Sequence, residues 1–66
     1  MKNLVAFNTG KNYDLKIAFN VDHIICVEEN DSGHAIIKTT DGITRNVDQN
    51  FEGALIKIRS AMRETD

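Results

Sequence analysis

The feature that most constrains this chain is the stretch from Ile24 to Val47, where three short apolar runs are separated by turn chemistry. Ile24-Ile25-Cys26-Val27 and Ala35-Ile36-Ile37 are joined by Asn30-Asp31-Ser32-Gly33, and a third run, Ile43 to Val47, follows directly after Asp41-Gly42. Asp-Gly between extended segments suits a two-residue type I′ turn, because glycine tolerates the positive φ that such a turn requires. The stretch therefore reads as three antiparallel strands. The rest of the chain is expected to cover them.

Upstream, Leu4 to Phe7 is a short apolar run and a first strand. The turn formers Asn8-Thr9-Gly10-Lys11-Asn12 then predict a hairpin loop containing a positive-φ residue. Tyr13, Leu15, Ile17 and Phe19 alternate with Asp14, Lys16, Ala18 and Asn20, a period of two that predicts a strand with one buried and one wet face. Asn20-Val21-Asp22-His23 reads as the strand exit.

From Asp48 the period changes to that of a helix. Phe51, Leu55, Ile58 and Met62 form a stripe flanked by Ala54 and Ala61. Asp48 is the expected N-cap, Glu52 lies near the positive end of the helix dipole, and Arg59 and Arg63 lie toward the negative end. Gly53 costs roughly 1 kcal/mol relative to alanine and is expected to loosen the first turn. The predicted fold is α+β. One domain over residues 1–66 holds an antiparallel meander of about five strands (sheet about 4–47), followed by one C-terminal amphipathic helix (about 49–64) packed on it.

A difficulty follows from this architecture. Ile24–Val27 and Ala35–Ile37 are apolar on consecutive residues, so both faces of their strands call for burial. One helix of about 16 residues, roughly 24 Å long, covers one face only. Either the sheet curls into a small barrel or its second face meets another subunit. Ile56 falls off the helix stripe, between Glu52, Arg59 and Arg63. The candidate interface is accordingly Ile56 with Ile25, Val27 and Ile36, and the expected partner is a second copy (a dimer or higher) or an unidentified protein.

Bulk properties narrow the function classes. A chain of 66 residues buries only about 60% of the surface its unfolded form exposes, and such domains often gain stability from a metal, from disulfides or by self-association. Cys26 is the only cysteine, so no disulfide forms within one chain, and it fits a reduced compartment as a small buried hydrophobe. No apolar run approaches the roughly 20 residues of a membrane span, and Met1 to Asn8 is too short and too soon polar for a signal peptide. A cytoplasmic location without membrane insertion is the expectation. A net charge of −2 gives no global bias toward nucleic acid.

No catalytic, cofactor or metal signature emerges. A four-residue loop in simple register would set Glu29 opposite His34, Cys26 opposite Ile37 and His23 opposite Thr40, leaving neither histidine near the sulfur. Glu28 and Glu29 are adjacent in a strand and point to opposite faces, so they make no carboxylate dyad. Two histidines eleven apart and one cysteine match no zinc spacing. Glu28 to Gly33 only echoes a calcium loop, whose last, acidic position would be Thr39. One charged constellation remains. A two-residue Asp41-Gly42 turn would place Lys38 opposite Arg45, an unfavourable like-charge pair unless a bulge shifts the register. Together with Arg59 and Arg63 these residues form a candidate anion or nucleic-acid contact. The alternative function is therefore a small nucleic-acid-binding regulator, although no exposed aromatics stand at strand centres to stack bases.

Asn20-x-Asp22-x-Ile24, Val27-Glu28-Glu29, Ile37-x-Thr39-x-Asp41-Gly42 and Val47 before Phe51-Glu52 resemble the pattern of the FlbD-type family of short flagellar and swarming-motility proteins. The likeness spans roughly Val5 to Arg59, with Asn30-Asp31-Ser32-Gly33 standing where that family has Pro-Asp-Thr. The strand–strand–helix order is also similar to part of LytTR-type DNA-binding domains. The first resemblance implies a non-enzymatic bacterial accessory protein acting through protein contacts, with no catalytic residues to carry over.

Overall fold

The computed structural model describes residues 3–63, with side chains through Met62. Five antiparallel strands are followed by one helix: β1 (Leu4–Thr9), β2 (Leu15–Asn20), β3 (Ile24–Glu29), β4 (His34–Thr39), β5 (Thr44–Asn50) and α1 (Phe51–Arg63). A single 3-10 turn, Val21–His23, links β2 to β3, and Asn20 caps it by accepting the Asp22 amide at 2.9 Å.

The spatial order is β2-β1-β5-β4-β3, so the meander is interrupted: β2 and β3 are consecutive in sequence but lie at opposite edges. Laid flat, five strands would hold those edges about 19 Å apart, whereas three residues of 3-10 turn rise only about 6 Å. The sheet must therefore curl. It also splits, because β1 meets β5 at one register pair alone, Thr9 with Val47. Beyond that pair the β1–β2 ribbon diverges from the β3–β4–β5 ribbon, and α1 packs against both.

The core fills the inside of the curl. Val5 and Phe7 of β1, Phe19 of β2, Ala35 and Ile37 of β4 and Val47 of β5 meet Ala54, Ile58 and Ala61 of the helix, with Ile24 and Val27 packed against them. Phe7 and Phe19 meet edge to face at 5.9 Å, a favoured aromatic geometry. Two small alanines on the buried helix face let the backbone approach the sheet closely. The buried stripe is centred on Ala54, Ile58 and Ala61, and Met62, expected within it, is 55% exposed.

Both hairpins of the central stretch differ from expectation by one residue. Asn30 donates to the His34 carbonyl at 2.9 Å and Gly33 to that of Asn30 at 3.0 Å; Thr39 donates to Ile43 at 3.1 Å and Gly42 to Thr39 at 2.9 Å. Gly33 and Gly42 both stand at φ +86°. Each loop thus has three residues, a type I turn followed by a left-handed glycine, instead of a four-residue loop and a type I′ turn. Type I′ would need positive φ at Asp41 as well, but Asp41 keeps an ordinary φ. Its carboxylate takes the Thr39 hydroxyl at 2.6 Å and the Ile43 amide at 3.0 Å.

The helix start is likewise corrected. Strand β5 continues through Asp48 and runs straight into α1, and the cap is Asn50, whose side-chain oxygen accepts the Gly53 amide at 2.7 Å. A Cβ at position 53 would stand 2.7 Å from the Gln49 Oε1 and 2.9 Å from the Asn50 Oδ1. The glycine makes room for the cap rather than loosening the turn.

Candidate interaction surface

The altered register decides where every candidate side chain goes. Cys26 lies opposite Lys38, Glu28 opposite Ile36, Ile37 opposite Arg45, and Lys38 opposite Thr44. Lys38 therefore points out of the curl while Arg45 shares the inner face of Ile37, with its guanidinium 5.8 Å from the centre of the Phe19 ring. The proposed Lys38–Arg45 pair does not exist, and the like-charge conflict disappears with it. Arg59 is exposed on the helix, and the side chain of Arg63 lies outside the described residues.

Of the four interface candidates, two stand open: Ile25 is 57% and Ile56 62% exposed. Ile25 is turned out by a bulge between Ile24 and Cys26. Val27 is half-buried, turned inward by the curl and packed against the core. Ile36 is half-buried on the outer face, between Glu28 and Asn46. Curling of the sheet, not a second subunit, thus satisfies much of what the doubly apolar runs demanded.

Other exposed apolar groups escape a reading of the sequence. Leu15 falls on the apolar stripe of β2, yet it is 56% exposed. Its strand is an edge and its ladder partner, Thr9, ends β1, so nothing stands over it. Leu4 is 45% exposed and shares with Ile56, Lys57 and Ser60 a groove of about 360 Å³ beside the open side of β1. Lys57 bridges that opening. Its ammonium donates to the Ala6 carbonyl at 2.7 Å and lies 4.8 Å from the centre of the Phe7 ring.

A second groove, about 320 Å³, runs along β2 and is lined by Ile17, Phe19, Asn20, His23, Asp41 and Arg45 among others. The Asp41 carboxyl is held below its ordinary range, chiefly by the Thr39 hydroxyl, then by the Ile43 amide and Arg45. His23 Nδ1 lies 3.3 Å from the Thr40 hydroxyl, but the pair is exposed, and among the described residues no third group orients the ring as nucleophilic catalysis requires. Cys26 is half-buried, paired in register with Lys38. The remaining imidazole, His34, contacts Tyr13, whose hydroxyl is 3.4 Å from His34 Nδ1 and whose ring centre is 5.5 Å from that of the histidine. Tyr13 sits at φ +57°, a left-handed position inside the β1–β2 loop rather than on a strand. No three His, Cys, Asp or Glu side chains gather as a metal site among the described residues. Among the described residues no helix is long and apolar enough to cross a membrane.

The edges themselves differ in character. β3 carries the bulge, bears Glu28 and Glu29, and lies beside α1; bulges, charges and a covering helix are the usual ways of blunting an edge. β2 is regular over all six of its pairs with β1, without bulge or proline, and its single charge is Lys16. Val21 donates to the Asn3 carbonyl at 2.9 Å, which fixes the alternation: Leu15, Ile17 and Phe19 turn their backbone groups toward β1. The amides and carbonyls of Lys16 and Ala18 consequently face away from the sheet. The Ala6 carbonyl, opposite Ala18, obeys the same alternation by pointing to Lys57. No family model, curated protein or solved structure matches this chain.

Proposed function

We propose that this chain is a non-enzymatic interaction module that acts by protein contact and associates with itself. The observation that carries the reading is the apolar surface: Leu4, Leu15, Ile25, Ile43, Ile56 and Met62 are 45–62% exposed on a chain of only 66 residues. Exposed apolar groups set beside open strand edges are the ordinary substrate of protein association. The resemblance of Asn20–Phe51 to FlbD-type motility proteins accords with an accessory role in a bacterial cytoplasm, and it too assigns no chemistry to any side chain.

Light scattering coupled to size exclusion tests the reading. Across micromolar concentrations the wild-type chain is expected to run at twice its 7.4 kDa mass or more, with the apparent mass rising as concentration rises. A constant monomer mass over that range would sink the proposal.

A further inference from the structure

We infer that the self-association just proposed, on which this inference rests, runs through strand β2, paired antiparallel with β2 of a second copy. Of the two free edges only this one is regular and unblunted, and it presents the Lys16 and Ala18 backbone groups without a partner strand. A symmetric pair must join even residues to even residues, because those alone carry edge-facing groups. The two-fold axis therefore passes at a residue, and the axes that overlap most of Leu15–Asn20 with its copy are those at Ile17 and Ala18.

Leu15 decides between them. With the axis at Ile17, Leu15 lies opposite Phe19 of the second copy, Ile17 opposite Ile17, and Lys16 opposite Ala18, so the exposed leucine gains an apolar neighbour and no charge faces its like. With the axis at Ala18, Leu15 would fall opposite Val21, the first residue of the 3-10 turn, and would lie outside the overlapped span of the two strands. The Ile17 axis also sets Asp14 of the second copy, one residue before β2, beside the uncharged Asn20. Apolar cover of Leu15 within the strand thus selects the Ile17 register.

Cross-linking reads this register directly. In a Cys26→Ser background the double variant Lys16→Cys/Ala18→Cys sets its sulfurs on opposed strands at a Cα spacing of about 5.5 Å, within the range a disulfide spans. Oxidation is expected to give a covalent dimer on a non-reducing gel, while Ala18→Cys alone gives none. Cross-linking of Ala18→Cys alone would put the axis at Ala18 and overturn the register. Ala18→Pro removes one edge-facing amide without breaking a β1 ladder bond, and it should leave the circular dichroism spectrum intact while weakening association about tenfold or more. A dimeric wild type whose Ala18→Pro variant stays dimeric, and whose double-cysteine variant does not cross-link, overturns the β2 interface and leaves self-association standing. A monomeric wild type removes both.

Discussion

Replacing Gly53 with alanine sets two effects of similar size against each other. Helix propensity alone favours alanine by about 1 kcal/mol at an interior position. At this site the new Cβ would stand 2.9 Å from the Asn50 oxygen, the same atom that accepts the Gly53 amide at 2.7 Å. That oxygen must retreat, and an N-cap is worth about 1 kcal/mol. Gln49, 2.7 Å from the Cβ position, is a long side chain that swings aside at little cost. The expected net effect of Gly53→Ala is therefore close to zero, within about 0.5 kcal/mol. In an Asn50→Ala background the cap is already lost, and the same substitution should stabilise by about 1 kcal/mol. The difference is a coupling of about 1 kcal/mol, within the span found for residues in contact. Urea unfolding followed by circular dichroism measures all four chains, and about 1 kcal/mol moves the melting temperature of so small a domain by about 4–8 °C. Equal stabilisation in both backgrounds would refute the assignment of Asn50 as the cap and of Gly53 as the residue that makes room for it.

The remaining expectations follow from single contacts. Ile37 is 0% exposed, so Ile37→Ala should cost about 2–5 kcal/mol and leave the chain largely unfolded, whereas Ile37→Val should lose about 0.5–1.5 kcal/mol and stay folded by circular dichroism; a folded alanine variant would contradict the core assignment. The folded Asp41 carboxyl is lowered, so its contribution is present above the unfolded pKa and is lost as pH falls through the lowered folded value. Thermal melts taken on acidification should accordingly fall less steeply for Asp41→Asn than for wild type, and parallel profiles would remove the turn hydrogen bonds from the account. Lys57→Met keeps the stem but leaves the Ala6 carbonyl without its donor, and should lower stability by about 1 kcal/mol in urea unfolding; an unchanged midpoint would mean the ammonium is simply solvated. With Lys38 and Arg45 on opposite sides of the sheet, a mobility-shift assay at low salt should show no retarded DNA band, and a band that weakens steeply with added salt would favour the nucleic-acid reading.

Much of this fold is written locally. The apolar runs at Leu4–Phe7, Ile24–Val27 and Ala35–Ile37, the paired turn signals at Asn30–Gly33 and Asp41-Gly42, and the change of period after Asp48 determine five strands and one helix, because turn chemistry and side-chain periodicity act over a few residues. What those signals leave open is anything that depends on residues far apart. Asp41-Gly42 is compatible with a two-residue or a three-residue loop, and only the backbone φ of Asp41 and the partners of its carboxylate select the latter, moving Arg45 to the inner face and away from Lys38. The pairing of β1 with β5 at Thr9 and Val47 joins residues 38 apart, and no local pattern encodes it; yet that junction forces the curl, draws Val27 inward and frees β2 as an edge. Leu15 shows the same division most plainly. The sequence by itself puts it on an apolar stripe, and only the tertiary structure, by leaving its strand at the margin of the sheet, buries the Phe19 end of that stripe and leaves the Leu15 end as surface.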